Sequence, residues 1–120
     1  MMRQFSFEKL EVWKNAINLT IDIYRLTNAF PKSEMYILTT QLRRASVSIS
    51  SNIAEGNYRK TGKDKSHFIT MAYSSLMEVL NQLIIAKELR YIEQDELENL
   101  RDKISLVANQ LNKLKNYHNK

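Results

Sequence analysis

The stretch Gln41-Leu-Arg-Arg-Ala-Ser-Val-Ser-Ile-Ser-Ser-Asn-Ile-Ala-Glu-Gly56 (QLRRASVSISSNIAEG) decides how the rest of the chain is read. Nothing before Gly56 breaks a helix, and Leu38, Leu42, Ile49 and Ile53 fall on one apolar stripe with Ala45 between them. A second stripe is polar: Gln41, Ser48, Asn52 and Glu55, also joined through Ala45, repeat at the alternating four-and-three spacing of buried positions. Burying amide and carboxylate groups is costly unless each finds a partner. The polar seam is therefore expected to be either a satisfied network that sets how the helices pack, or a site. Gly56 is expected to loosen the last turns of this helix.

Working outward, the chain has 120 residues, with 43% hydrophobic and 26% charged residues but only one proline and two glycines. So few turn formers call for long helices and argue against a sheet. A chain of this length suffices for one core, so one domain is expected over 1–120. The absence of cysteine excludes disulfides, thiolate metal sites and thiol nucleophiles. MMRQFSFEKLEVW contains no apolar signal-peptide core, and no uninterrupted apolar run approaches a membrane span, so a cytoplasmic protein with no membrane partner is expected. A net charge of +5 points mildly to an anionic partner.

Four helices are predicted, over about 8–29, 34–58, 64–91 and 94–116. The first carries two apolar stripes: Leu10, Trp13, Ile17, Ile21 and Tyr24, and beside them Val12, Ala16, Leu19, Ile23, Leu26 and Phe30. One bundle seam needs only one, so the other is expected to face a second subunit. Pro31 ends this helix by biasing Phe30 away from helical geometry, and Ser33 is the expected cap of the next. Residues 59–65 (RKTGKDK) form the exposed loop, and Leu97, Leu100, Ile104, Val107, Leu111 and Leu114 give the last helix a seven-residue repeat. Long helices joined by short connections define an all-α, antiparallel up-down-up-down four-helix bundle.

Three blocks carry a family resemblance: FEKLEVWKNAINL (Phe7–Leu19), FPKSEMYILTTQLRRASVSISSNIAEG (Phe30–Gly56) and FITMAYSSLMEVLNQLIIAKELRYI (Phe68–Ile92). Together they resemble the four-helix-bundle proteins encoded within intervening sequences of bacterial 23S ribosomal RNA genes. The motif consists of Pro31 and Glu34, then Gln41, Arg43, Arg44, Ser48, Ile49, Asn52, Ile53, Glu55 and Gly56; helix 4 matches only in pattern. The resemblance implies a homopentamer. It extends to accessory proteins of diversity-generating retroelements, which share that assembly and bind a reverse transcriptase and nucleic acid. The family has no established catalytic activity.

In an antiparallel bundle the charges sort by end. Arg3, Lys9, Arg59, Lys60, Lys63, Lys65, Lys113, Lys115 and Lys120 gather at the end holding the termini and the 2–3 loop. Glu34, Glu88, Glu93, Asp95, Glu96 and Glu98 gather at the other. A parallel ring of subunits would turn the basic patches into one positive rim able to hold RNA phosphates, with Tyr58, His67, Tyr117 and His118 near it to stack on unpaired bases. The competing reading is that these lysines solvate loops and complement helix dipoles. The nucleic-acid-binding residues expected are thus Arg59, Lys60, Lys63, Lys65, Lys113 and Lys115. The alternative partner is a nucleic-acid enzyme docked on the ring as a scaffold.

Arg43 and Arg44 point about 100° apart on a helix and cannot do the same job. Arg44 lies beside the polar seam and is expected to pair with Glu55 or Glu78, while Arg43 is expected to face a neighbouring subunit or solvent. No glycine-rich phosphate loop, Glu-x-x-His pair or pair of histidines with carboxylates at ligand spacing occurs, so no catalytic residue, metal or cofactor is expected.

Overall fold

The apolar stripes close on one another. In the computed structural model, which describes residues 3–119, Val12, Ala16, Leu19 and Ile23 pack with Leu42, Ile49 and Ile53, with Ile69, Leu76, Val79 and Leu83, and with Leu97, Leu100, Ile104, Val107 and Leu111. Four α-helices supply them: α1 (Glu11–Thr27), α2 (Thr40–Tyr58), α3 (Gly62–Glu88) and α4 (Gln94–His118). α1 packs on α2 and α4, and α3 on the same two helices from the other side. Their directions follow from specific contacts. Ser48 meets Ser75 while Gly56 meets Phe68, so α2 and α3 are antiparallel. Asp22 meets Lys103 while Asn15 meets Gln110, so α1 and α4 are too. Thr20 meets Ser46 while Thr27 meets Arg43, so α1 and α2 are antiparallel as well, and the bundle is the up-down-up-down one the sequence predicts.

The helix starts differ from the sequence reading in three places. The first predicted helix breaks at Leu10, whose extended backbone (ψ 127°) separates α1 from a short 3-10 turn, Ser6–Lys9. Glu8 satisfies that turn by accepting from the Phe5 N–H at 2.8 Å. The second predicted helix begins as a 3-10 turn (Lys32–Glu34) and a π-helical turn (Met35–Thr39) before α2 proper. Ser33 caps nothing there; the Thr40 hydroxyl instead donates to the Met35 carbonyl. α3 starts two residues early, at Gly62, because Thr61 Oγ1 accepts from the Asp64 N–H at 3.1 Å, a side-chain N-cap.

Gly56 does not loosen α2. It is buried, and a Cβ there would lie 2.7 Å from Phe68 Cβ, so its lack of a side chain lets α2 and α3 approach. At the far end, Arg90 adopts a left-handed conformation (φ 65°) usually left to glycine. The N–H groups of Arg90 and Tyr91 bond back to the carbonyls of Lys87 and Ala86, each at 2.9 Å, which closes α3 in a Schellman turn. α4 opens on a capping box in which Glu96 accepts from the Glu93 N–H at 2.9 Å.

By length and composition α3 could cross a membrane, with a mean hydropathy of 1.3 over 18 residues. Here it serves as a bundle helix, burying Ile69, Ala72, Leu76, Val79, Leu83 and Ala86 against its neighbours.

Candidate nucleic-acid interface

The polar seam is not a buried core. Gln41, Arg44 and Glu55 are exposed, and Ser48 and Asn52 are half-buried. The reason is geometric. Gln41, Ser48 and Asn52 each precede an apolar core residue by one position, so they lie about 100° around the helix from the core stripe, at the α2/α3 rim. The middle of the seam does form a network: Asn52 Nδ2 donates to Ser48 O at 2.8 Å and to Ser48 Oγ at 3.0 Å, and Ser48 Oγ shares a hydrogen bond of 2.9 Å with Ser75 Oγ. One buried polar residue of α3 is absent from the sequence reading. Gln82 is 6% exposed; its Nε2 reaches Glu78 Oε2 only at 3.4 Å, and its Oε1 has no partner.

The two arginines exchange the roles expected of them. Arg43 is tied to α1: Nε donates to Thr27 Oγ1 at 2.9 Å, NH2 donates to Asn28 Oδ1 at 3.1 Å, and the guanidinium lies 4.7 Å from the centre of the Tyr24 ring. Arg44 is exposed and reaches neither Glu55 nor Glu78. The acceptors for Arg43 come from the end of α1, invisible from α2 alone.

Three chain segments converge at one end of the bundle. Asn57 Nδ2 donates to Ser6 Oγ at 2.7 Å, joining the N-terminal turn to the end of α2. Lys65 Nζ donates to the Asn57 carbonyl at 2.7 Å, closing the 2–3 loop. Ser66 Oγ donates to Asn119 Oδ1, and the His118 carbonyl lies so close to Gly62 that a Cβ there would sit 2.4 Å from it. These contacts bring the expected basic residues together, although not all are equally available. Arg59 lies over the Phe68 ring at 4.5 Å, Lys65 is engaged with Asn57, and Lys115 is half-buried. Lys60, Lys63 and Lys113 are exposed and form no ion pair among the described residues. Lys120 lies outside the described residues.

Aromatic side chains accompany these cations. Tyr58 is 88% and Tyr117 66% exposed, and Tyr117 packs edge-on against His118 at 5.0 Å. Burial, reinforced by the Lys65 charge, holds the His118 imidazole below its usual pKa. Phe5 and Phe7, which precede the first predicted helix, complete a groove of about 600 Å³ with Ala54, Glu55, Tyr58 and Arg59. The signal for them was present: aromatics two apart, just ahead of the Leu10–Trp13 apolar stripe. Phe7 rests edge-on against Trp13 at 5.2 Å.

At the opposite end the carboxylates do structural work. Tyr91 donates its hydroxyl to Glu34 Oε2 at 2.7 Å, and that bond raises the tyrosine pKa, with burial and the Glu34 charge adding to it. Among the described residues no three His, Asp or Glu side chains converge to hold a metal.

Fold and site together define a small all-helical bundle with one basic, aromatic-bearing end. The chain belongs to the 23S rRNA-intervening sequence protein family, whose model matches residues 8–113. A structure of a protein of unknown function from the S23 ribosomal protein family of Bacteroides thetaiotaomicron VPI-5482 shares the fold. It is 18% identical, and the match covers 87% of this chain and 97% of that one at a TM-score of 0.77. No curated protein matches the chain in sequence. Neither the family nor the structural neighbour is described as an enzyme.

Proposed function

We propose that this protein is a non-enzymatic, homo-oligomeric bundle, pentameric as its family resemblance implies, that binds RNA in the cytoplasm through its basic end. The observation that carries the reading is the convergence of exposed, unpaired Lys60, Lys63 and Lys113 with exposed Tyr58 and Tyr117. Lysines free of carboxylates can give up their counterions to phosphates, and exposed tyrosines can stack on unpaired bases. Association into a ring is supported by the second stripe of α1, which the single chain leaves partly uncovered: Ile21 is 43% and Tyr24 42% exposed. Cyclic symmetry would place every basic end on the same face.

The test is fluorescence anisotropy with labelled single-stranded ribosomal RNA and a duplex DNA control across a salt series. Binding should weaken steeply with salt. Lys60→Glu with Lys63→Glu should abolish it at physiological salt and leave the assembly intact; loss of two single-strand phosphate contacts lowers the log–log slope by about 1.4. Lys65 is left in place because its reversal would also open the 2–3 loop. Unchanged affinity in the double variant would refute the basic end as the RNA surface.

A second reading rests on the other end, where Tyr36, Ile37 and Leu89 are 91%, 59% and 50% exposed. There the bundle would act as a scaffold docking a nucleic-acid enzyme, with no RNA contact of its own. It predicts a protein partner whose capture survives nuclease treatment and is lost on Tyr36→Ala.

A further inference from the structure

We infer that the groove between the N-terminal turn and the end of α2 is a nucleobase site selective for guanine, resting on the RNA-binding reading above. The groove opens at the basic end, next to the exposed Lys60, so a strand whose phosphates lie on the loop lysines can place a base in it. Its walls are aromatic, with Phe5 71% and Tyr58 88% exposed and Phe7 behind them. Such faces hold any base by stacking.

Selection comes from the polar groups that remain free. Asn57 has its side-chain nitrogen on Ser6 and its backbone carbonyl on Lys65, which leaves its side-chain oxygen as a further acceptor, and Arg59 is stacked on Phe68. Glu55 is the one carboxylate lining the groove, and it is exposed and without a hydrogen bond or ion pair among the described residues. A carboxylate is only an acceptor, and it repels phosphate. Of the four RNA bases, only guanine presents two adjacent donors, N1–H and the N2 amine, on its pairing edge. Adenine and cytosine place an acceptor beside their amine, and uracil flanks its one N–H with two carbonyls. Glu55 therefore favours guanine with a paired contact, while Arg59 and Lys60 lie toward the strand's phosphates.

The experiment uses the full chain and short single-stranded oligouridine RNAs carrying one central guanosine, inosine or adenosine. Binding is read by anisotropy and by quenching of the sole tryptophan, Trp13, which lies behind Phe7. The guanosine RNA should bind about five- to a hundredfold tighter than the adenosine RNA, with inosine between. Glu55→Gln should erase that preference and, by removing a charge that repels phosphate, should bind oligouridine at least as tightly. Tyr58→Ala should weaken every RNA by about five- to a hundredfold; both side chains are exposed, so neither change threatens the fold.

Equal affinity for guanosine and adenosine RNAs, or a preference that survives Glu55→Gln, would overturn the guanine site. If Lys60→Glu with Lys63→Glu still abolished binding, the RNA-binding reading would stand without it. No binding to any RNA at low salt would overturn both. Self-association lost on Tyr58→Ala, with no base preference, would assign the groove to a second copy of the chain and overturn the proposal.

Discussion

Replacing Gly56 with alanine tests the close approach of α2 to α3. Alanine is the better helix former by about 0.8–1 kcal/mol, so local propensity predicts stabilisation. Tertiary packing predicts the opposite. The new Cβ would lie 2.7 Å from Phe68 Cβ, 3.6 Å from Phe68 Cγ and 3.5 Å from the Lys65 carbonyl oxygen. Carbon atoms pack best at about 3.5–4.0 Å, so the first contact is short by roughly 1 Å. A long side chain could swing away from such a clash, but Phe68 Cβ is fixed to the α3 backbone. Relief requires α2 and α3 to part where Arg59 stacks on Phe68 and Lys65 closes the loop. Overpacking of this kind costs about 1–3 kcal/mol. After subtracting the propensity gain, Gly56→Ala should destabilise by about 1 kcal/mol and lower the urea midpoint with no change in slope. A variant more stable than the parent by about 1 kcal/mol would refute the packing argument, since propensity alone would then be acting.

Three further predictions follow from side chains described above. Arg43→Ala should cost about 2 kcal/mol, because it removes two charge-assisted hydrogen bonds to α1 and a stacked tyrosine, whereas Arg44→Ala should cost no more than about 0.5 kcal/mol; equal effects in urea titrations would contradict the assigned roles. Gln82→Met keeps the shape and removes a buried carbonyl with no partner, so it should stabilise by about 1 kcal/mol, and a loss of stability would mean that Oε1 is satisfied. His118 has a folded-state pKa below its unfolded value near 6.5, so the neutral form is favoured on folding; its contribution is present above pH 6.5 and is lost as pH falls through the folded pKa. His118→Asn should flatten that acid-side decline in denaturation midpoints taken between pH 7.5 and pH 5, and an unaltered profile would refute the linkage.

Periodicity carried the fold because buried stripes are local facts. Val12, Ala16, Leu19 and Ile23 share a face on any helix, as do Leu97, Leu100, Ile104, Val107 and Leu111, and both sets are buried. What periodicity lacks is information on whether a face is covered. The seam from Gln41 to Glu55 repeats as regularly as a core stripe, yet only Ser48 is matched by a polar partner on α3, at Ser75. The break at Leu10 and the π-helical turn are backbone events that leave the apolar pattern intact, so the pattern is blind to them. At the basic end, charge sorting gathered the cations but could not distinguish spent ones from free ones. That distinction depended on Phe68 under Arg59 and on the Asn57 carbonyl beside Lys65.

The π-helical turn at Met35–Thr39 bears on how this chain tolerates gains and losses of residues. A π turn is a helical turn carrying one residue more than the α geometry needs. A single deletion at Tyr36 or Ile37, both facing water, would remove that surplus and leave a continuous α-helix entering α2. Because the π geometry absorbs the extra residue within one turn, the segments on either side would keep their facing relative to the core. The same deletion between Leu42 and Ile53 would instead turn buried side chains outward, at a cost the bundle could not absorb. The entrance to α2 is thus a place where chain length can drift by one residue, immediately beside a helix whose register cannot.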